Sequence, residues 1–224
     1  MKHTLFATCL CSTLMLGGGA AAQTGFDDPF GEAPTGKAAG SILVRLRAIG
    51  LIPEDNSSST SIGGHVDTSA QAAPEADFSY FFTDNVAVEL IAATTRHTLS
   101  ADGTAIGKVD VGSTWVLPPT VTLQYHFMPK SRFSPYIGAG LNWTLFYSGS
   151  PATPVVKGFR LDNNFGAAVQ VGADYNFTGR WFANIDVKQI FLNTTAHLNT
   201  ELGPVTAKTS LDPLVVGVGI GYRF

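Results

Sequence analysis

Leu214-Val215-Val216-Gly217-Val218-Gly219-Ile220-Gly221-Tyr222-Arg223-Phe224 separates into two faces when read at every second residue. Val216, Val218, Ile220, Tyr222 and Phe224 lie on one side, and Gly217, Gly219, Gly221 and Arg223 on the other. A period of two is the signature of a β-strand. Here one face is purely apolar and ends in two aromatics, while the other is small and polar. Such a strand suits a lipid-facing wall around a crowded lumen, with its aromatics at the membrane interface.

The same alternation recurs upstream. Phe165, Ala167, Val169, Val171, Ala173, Tyr175 and Phe177 oppose Gly166, Ala168, Gln170, Gly172, Asp174 and Asn176. Val121, Leu123, Tyr125 and Phe127 oppose Thr120, Thr122, Gln124 and His126; Val86, Val88, Leu90 and Ala92 oppose Glu89 and Ile91. Trp181, Ala183, Ile185 and Val187 oppose Asn184, Asp186 and Lys188. From Ser41 onward eight segments have strand character. Short links (83–85, 128–134, 178–180) alternate with long ones rich in Ser, Thr, Gly and Pro (53–74, 99–117, 148–162, 194–209). Membrane barrels alternate in this way, with short periplasmic turns and long external loops. The expected fold is therefore all-β: an eight-stranded antiparallel up-and-down transmembrane barrel over residues 41–224. Closure removes the edges that strands this apolar would otherwise use to aggregate.

Composition and the N-terminal segment agree with export. Charged residues make up 14% of the chain and mean hydropathy is +0.16, far from the ~25% charge of ordinary globular domains. Beyond the first residues no apolar run reaches the ~18 residues a membrane helix needs. Lys2 and His3, an apolar stretch from Leu5 to Leu16 and small residues at Ala20-Ala21-Ala22 read as a signal peptide over residues 1–22. Residues 23–40, with Asp27-Asp28-Pro29, Pro34 and Gly36, read as a flexible periplasmic leader. The only cysteines, Cys9 and Cys11, fall in the segment expected to be removed, so no disulfide framework or cysteine metal site is expected. A net charge of −3 argues against nucleic acid as a partner. No nucleophile motif or phosphate-binding loop appears, so neither an enzyme nor a cofactor or metal is expected.

An eight-stranded barrel is only wide enough for its own side chains to fill. Taking Ile42, Val44 and Leu46 as lipid-facing turns Leu43, Arg45, Arg47 and Ile49 inward. Glu89, Asp174, Asp186, Lys188 and Arg223 point inward on the same grounds. Arg45 and Arg47 are expected to pair with Glu89 and with Asp174 or Asp186, forming a charge network that plugs the lumen. A network that only fixes the lumen accounts for these charges as well, and such networks are common in filled barrels. Ile49, Leu51, Ile91 and Phe146 are candidates for an apolar passage in the outer half. Pro118-Pro119 removes two ladder donors at the start of a strand, which marks a candidate lateral exit; a strand start after a loop explains it equally well.

Several segments, in order, resemble the OmpW family of small outer-membrane proteins over essentially all of residues 41–224. They include Asn85-Val86-Ala87-Val88-Glu89-Leu90, Leu117-Pro118-Pro119-Thr120, Leu211-Asp212-Pro213 and Gly221-Tyr222-Arg223-Phe224. The resemblance implies a bacterial outer-membrane barrel with an apolar, partly closed lumen. It implies that small hydrophobic molecules cross the lipopolysaccharide layer and leave sideways into the bilayer. Tyr222 and Phe224 resemble the signal read by the barrel-assembly machinery. The expected partners are outer-membrane lipid and lipopolysaccharide, that machinery, and small hydrophobic solutes. A second reading stands beside it: a structural or interaction barrel whose external loops bind partners, in adhesion or as a phage or bacteriocin receptor.

Overall fold

A computed structural model of the chain describes Ala33 and residues 36–52, 57–60, 65–68, 71–104, 107–151, 156–200 and 203–224. The signal peptide expected over residues 1–22, its two cysteines and most of the leader lie outside the described residues.

Eight antiparallel strands close on themselves. They are β1 (Ile42–Ile52), β2 (Gln71–Phe81), β3 (Val86–Ala93), β4 (Thr120–His126), β5 (Phe133–Pro151), β6 (Asn164–Thr178), β7 (Trp181–Phe191) and β8 (Leu214–Arg223). Each pairs with its sequence neighbour, and β8 returns to β1 in a register running from Leu43↔Arg223 to Ile52↔Leu214. Leu46 is 64% exposed while its neighbour Arg45 is 0% exposed. Apolar outside and charged inside is the inverse of a soluble core, and only a lipid surround makes that favourable.

Aromatic side chains mark both edges of the lipid-facing band. Tyr80, Phe82, Tyr125, Phe127, Tyr175, Phe177, Trp181, Tyr222 and Phe224 ring the short-turn end, in edge-on pairs such as Tyr222–Phe224 with centroids 4.9 Å apart. Toward the other end Trp143 stacks on Phe165 at 5.6 Å and Trp115 on Tyr147 at 6.4 Å. Phe165 to Tyr175 on β6 is about ten steps of ~3.3 Å, which a tilt of ~40° projects to roughly 25 Å along the membrane normal. That is the height of an outer-membrane apolar band.

The external connections differ from expectation. Residues read as loops are largely strand. Thr95–Thr104 pairs with Gly107–Leu117, and Asn193–Thr200 pairs with Gly203–Ser210. Val156–Leu161, Asn193–Thr200, Gly203–Ser210 and Ser57–Thr60 form a four-stranded sheet, while Gly107–Leu117 joins the upper half of β5. The polar composition of these segments accompanies an alternation of buried and exposed residues, with Thr95, His97, Thr114, Thr194 and Ala196 buried. It does not oppose strand, since Thr and Val favour a pleated surface wherever it is placed.

A lumen with a charged floor and an apolar chamber

Inward side chains form layers stacked along the barrel axis. Nearest the short-turn end, Leu43, Phe81, Ala87 and Phe182 make a small apolar ring, all 3% exposed or less. Above it lies the charge layer. Arg45 Nη1 donates to Asp77 Oδ1 and Ser79 Oγ, both at 2.7 Å, and lies 3.4 Å from Glu89 Oε1. Its Nη2 reaches Asp174 Oδ2 at 3.0 Å. Arg47 lies 2.8 Å from Glu75 Oε1, 2.9 Å from Asp77 Oδ2 and 3.3 Å from Glu89 Oε1, and its Nη1 donates to Asn184 Oδ1 at 3.1 Å. The planar forks of two arginines thus bridge carboxylates from three different strands, β2, β3 and β6.

Polar side chains complete the layer. Glu89 Oε2 accepts from Gln124 Nε2 at 2.8 Å, Gln170 Nε2 at 2.9 Å and Thr122 Oγ1 at 3.2 Å. Tyr136 Oη donates to Asp186 Oδ2 at 2.8 Å, and Asn184 Nδ2 donates to Asp174 Oδ1 at 2.7 Å. Lys188 sits 3.6 Å from Asp186 and 3.7 Å from Glu75. A buried charge is tolerable only when paired, and this layer pairs each of them, although Arg47 Nε and Asp77 Oδ2 meet their partners without a hydrogen bond.

Arg45, Arg47, Glu89 and Asp174 therefore meet in one cluster. Asp186, 3.8 Å from Arg47, and Lys188 lie at its upper edge. Three members escaped the sequence reading. Glu75 and Asp77 come from β2, where they alternate with Ala76 and Phe78; the period was present, but Ala72-Ala73-Pro74 masks the start of the strand. Lys37 comes from outside every strand, so no periodicity points to it. Its Nζ donates to Asp174 Oδ2 at 2.7 Å and Ser134 Oγ at 2.8 Å, and lies 3.0 Å from His126 Nδ1. Burial draws the Lys37 ammonium down to about 8, with Asp174 opposing the fall, which leaves it charged at pH 7.

Over the charge layer the lumen turns apolar. Ile49, Leu51, Ala93, Ala168, Ile190, Leu192 and Val215 pack together, with Phe146 against them. A narrow recess is lined by Ile49, Leu51 and Ile91, with Glu75 and Lys188 among its walls. A larger open chamber of about 630 Å³ lies among Leu51, Phe146, Leu161, Ile190, Leu192 and Pro118, and the surface it offers is carbon. All four candidate passage residues thus border these spaces. The polar groups on the chamber wall are turned into protein bonds: Thr144 Oγ1 donates to Asn142 Oδ1 at 2.6 Å and Thr114 Oγ1 to Tyr147 O at 3.2 Å.

Pro118 borders both spaces. The β3–β4 ladder stops at Ile91↔Thr120, and pairing resumes above it at Thr95↔Val116. Between these rungs the two prolines have no amide to donate. On their other side the wall is joined to β5, where Trp143 N donates to Pro119 O at 2.9 Å. The β5 ladder also skips two rungs here, between Thr120↔Asn142 and Leu117↔Leu145, and that bond spans the gap.

The chain matches known proteins in sequence and in fold. The sequence profile of the OmpW family matches residues 38–224. The chain belongs to the OmpW family. An uncharacterised outer-membrane protein of Sinorhizobium fredii is 44% identical over 213 residues, covering 92% of this chain and 90% of that one. The dibenzothiophene metabolism operon protein PahQ of Pseudomonas aeruginosa is 32% identical over 164 residues, 72% of this chain and 76% of that one. The crystal structure of the outer membrane protein OprG from Pseudomonas aeruginosa superposes with a TM-score of 0.80 at 27% identity, covering 84% of this chain and 98% of that one. This OmpW-family barrel is an outer-membrane protein, and its apolar band lies in that bilayer.

Proposed function

We propose that the barrel takes small hydrophobic molecules from the external side into its apolar chamber and releases them sideways into the bilayer through the β3–β4 discontinuity. The observation that carries this reading is one juxtaposition. A carbon-lined chamber closes downward on paired charges and borders a gap in the β3–β4 ladder, between Ile91↔Thr120 and Thr95↔Val116, where proline withholds a donor. An apolar solute gains nothing by entering the charge layer, because separating those pairs costs several kcal/mol. Sideways, it meets hydrocarbon at no such cost. The kinship with a protein named for a dibenzothiophene metabolism operon supports an apolar solute class. In this reading Ile49, Leu51, Ile91 and Phe146 line the route, the charge network is its floor, and Tyr222 and Phe224 are the assembly signal.

The test is flux into lipid vesicles. Pro118→Val with Pro119→Thr restores two amide donors and should cut uptake of an apolar fluorescent solute severalfold while leaving folding intact. Unchanged uptake would sink the lateral exit. Deleting an external hairpin and losing surface adhesion, with flux intact, would favour the interaction-barrel reading instead.

A further inference from the structure

The segment Gly36–Gly40 runs straight across the short-turn mouth of the barrel. It starts at the foot of β1, where Gly40 N donates to Phe81 O at 2.8 Å and Ala39 N to Asp84 Oδ1 at 3.1 Å. It ends at the β4–β5 turn, where Lys37 N donates to Pro129 O at 2.7 Å and Ala33 N to Lys130 O at 2.9 Å. In a ring of eight strands β1 and β5 stand opposite one another, so these anchors lie across the mouth. Gly36 makes the close approach possible: a Cβ there would stand 3.0 Å from Lys130 Cα. The Arg223 guanidinium, from the end of β8, donates to Gly36 O.

From this crossing Lys37 turns into the lumen. An ammonium has three protons to place, and here three partners surround it, from β4 (His126), β5 (Ser134) and β6 (Asp174). It is 7% exposed. Among the described charged residues of the lumen cluster, the strands supply Arg45, Arg47 and Lys188 against Glu75, Asp77, Glu89, Asp174 and Asp186. The strands alone leave an excess of carboxylate, and Lys37 is the cation brought from outside them to Asp174.

We infer that residues 36–40 are a strap sealing the periplasmic mouth, and that Lys37 is its bolt, driven into Asp174 to shut the lumen from periplasmic water and ions. The bolt can seat only once its partner strands β4, β5 and β6 are assembled, so it closes after the barrel does. This sealing is independent of what occupies the apolar chamber above.

Thiol accessibility tests it on the full chain reconstituted in vesicles. Asn176 lines the small cavity beside Lys37 at the mouth, so Asn176→Cys reports solvent at the level of the strap. With Lys37 present, a charged methanethiosulfonate reagent should label this thiol slowly. Adding Lys37→Met, which keeps the stem and removes the ammonium, should speed labelling at least about tenfold, with unchanged heat-modifiable mobility on gels. Equal rates would overturn the bolt. Should the double variant fail to fold, hydrogen exchange on the unsubstituted protein decides. The amides of Lys37 and Gly40 should exchange at least about 100-fold more slowly than in a free peptide. Exchange at the free-peptide rate would overturn the strap.

Discussion

Arg45 carries the strongest consequences of any single residue. Its guanidinium touches Asp77, Ser79, Glu89 and Asp174, and its charge lies 5.4 Å from the ring centroid of Phe182 and 5.8 Å from that of Tyr136. Arg45→Ala removes one cation and leaves carboxylates from three strands facing one another in a dry interior. Removing one partner of such a buried pair costs about 3–5 kcal/mol. Denaturant unfolding in vesicles, followed by tryptophan fluorescence, should show a loss of that size. A loss below about 1 kcal/mol, the scale of an exposed pair, would mean that water reaches the layer. The Phe182 ring depends in turn on Gly221. A Cβ there would collide with the Phe182 ring, so glycine at this position of β8 is a steric requirement of the neighbouring side chain.

At the scale of strands, legibility in the sequence followed the strength of alternation. β4, β6, β7 and β8 have uninterrupted period-two faces, and their inward and outward residues were readable one by one. β2 was not, because a proline and three alanines precede and interrupt its acidic face, and with it two carboxylates of the charge layer were hidden. The strap was invisible for a different reason: a five-residue crossing has no period, and the value of Lys37 arises only from three strands distant in sequence. The external hairpins were misread because Ser, Thr and Gly were taken as marks of loop, whereas here they sit in strands whose inward threonines, Thr95, Thr114 and Thr194, are buried. These hairpins extend the wall without closing it; the pairing that closes the ring runs through β1 to β8. Replacing residues 195–208 with a short turn should therefore leave the barrel folded and its unfolding free energy within about 1 kcal/mol. Gel mobility before and after heating, with denaturant titration, measures this. Failure to fold would place the hairpin within the barrel's cooperative unit.

For the molecule as a whole, the decisive quantity is where it sits in the bilayer, since every functional statement depends on which residues meet lipid. The two aromatic edges place Phe165 at the outer boundary of β6 and Tyr175 and Phe177 at the inner one, with Val171, 55% exposed, in between. The cost of a charge on the lipid face depends on depth, at ~2–4 kcal/mol for arginine near the midplane and ~0–1 kcal/mol near the interfaces. Val171→Arg should then lower the unfolding free energy in vesicles by about 2–4 kcal/mol, and Phe177→Arg by much less once its own lost ring is allowed for with a Phe177→Ala control. The difference matters more than either value. If both arginines cost the same, the band is not where the aromatics put it. The apolar chamber would then open at a different depth, and the break at Pro118 would face water or headgroups, where an apolar solute has no reason to leave.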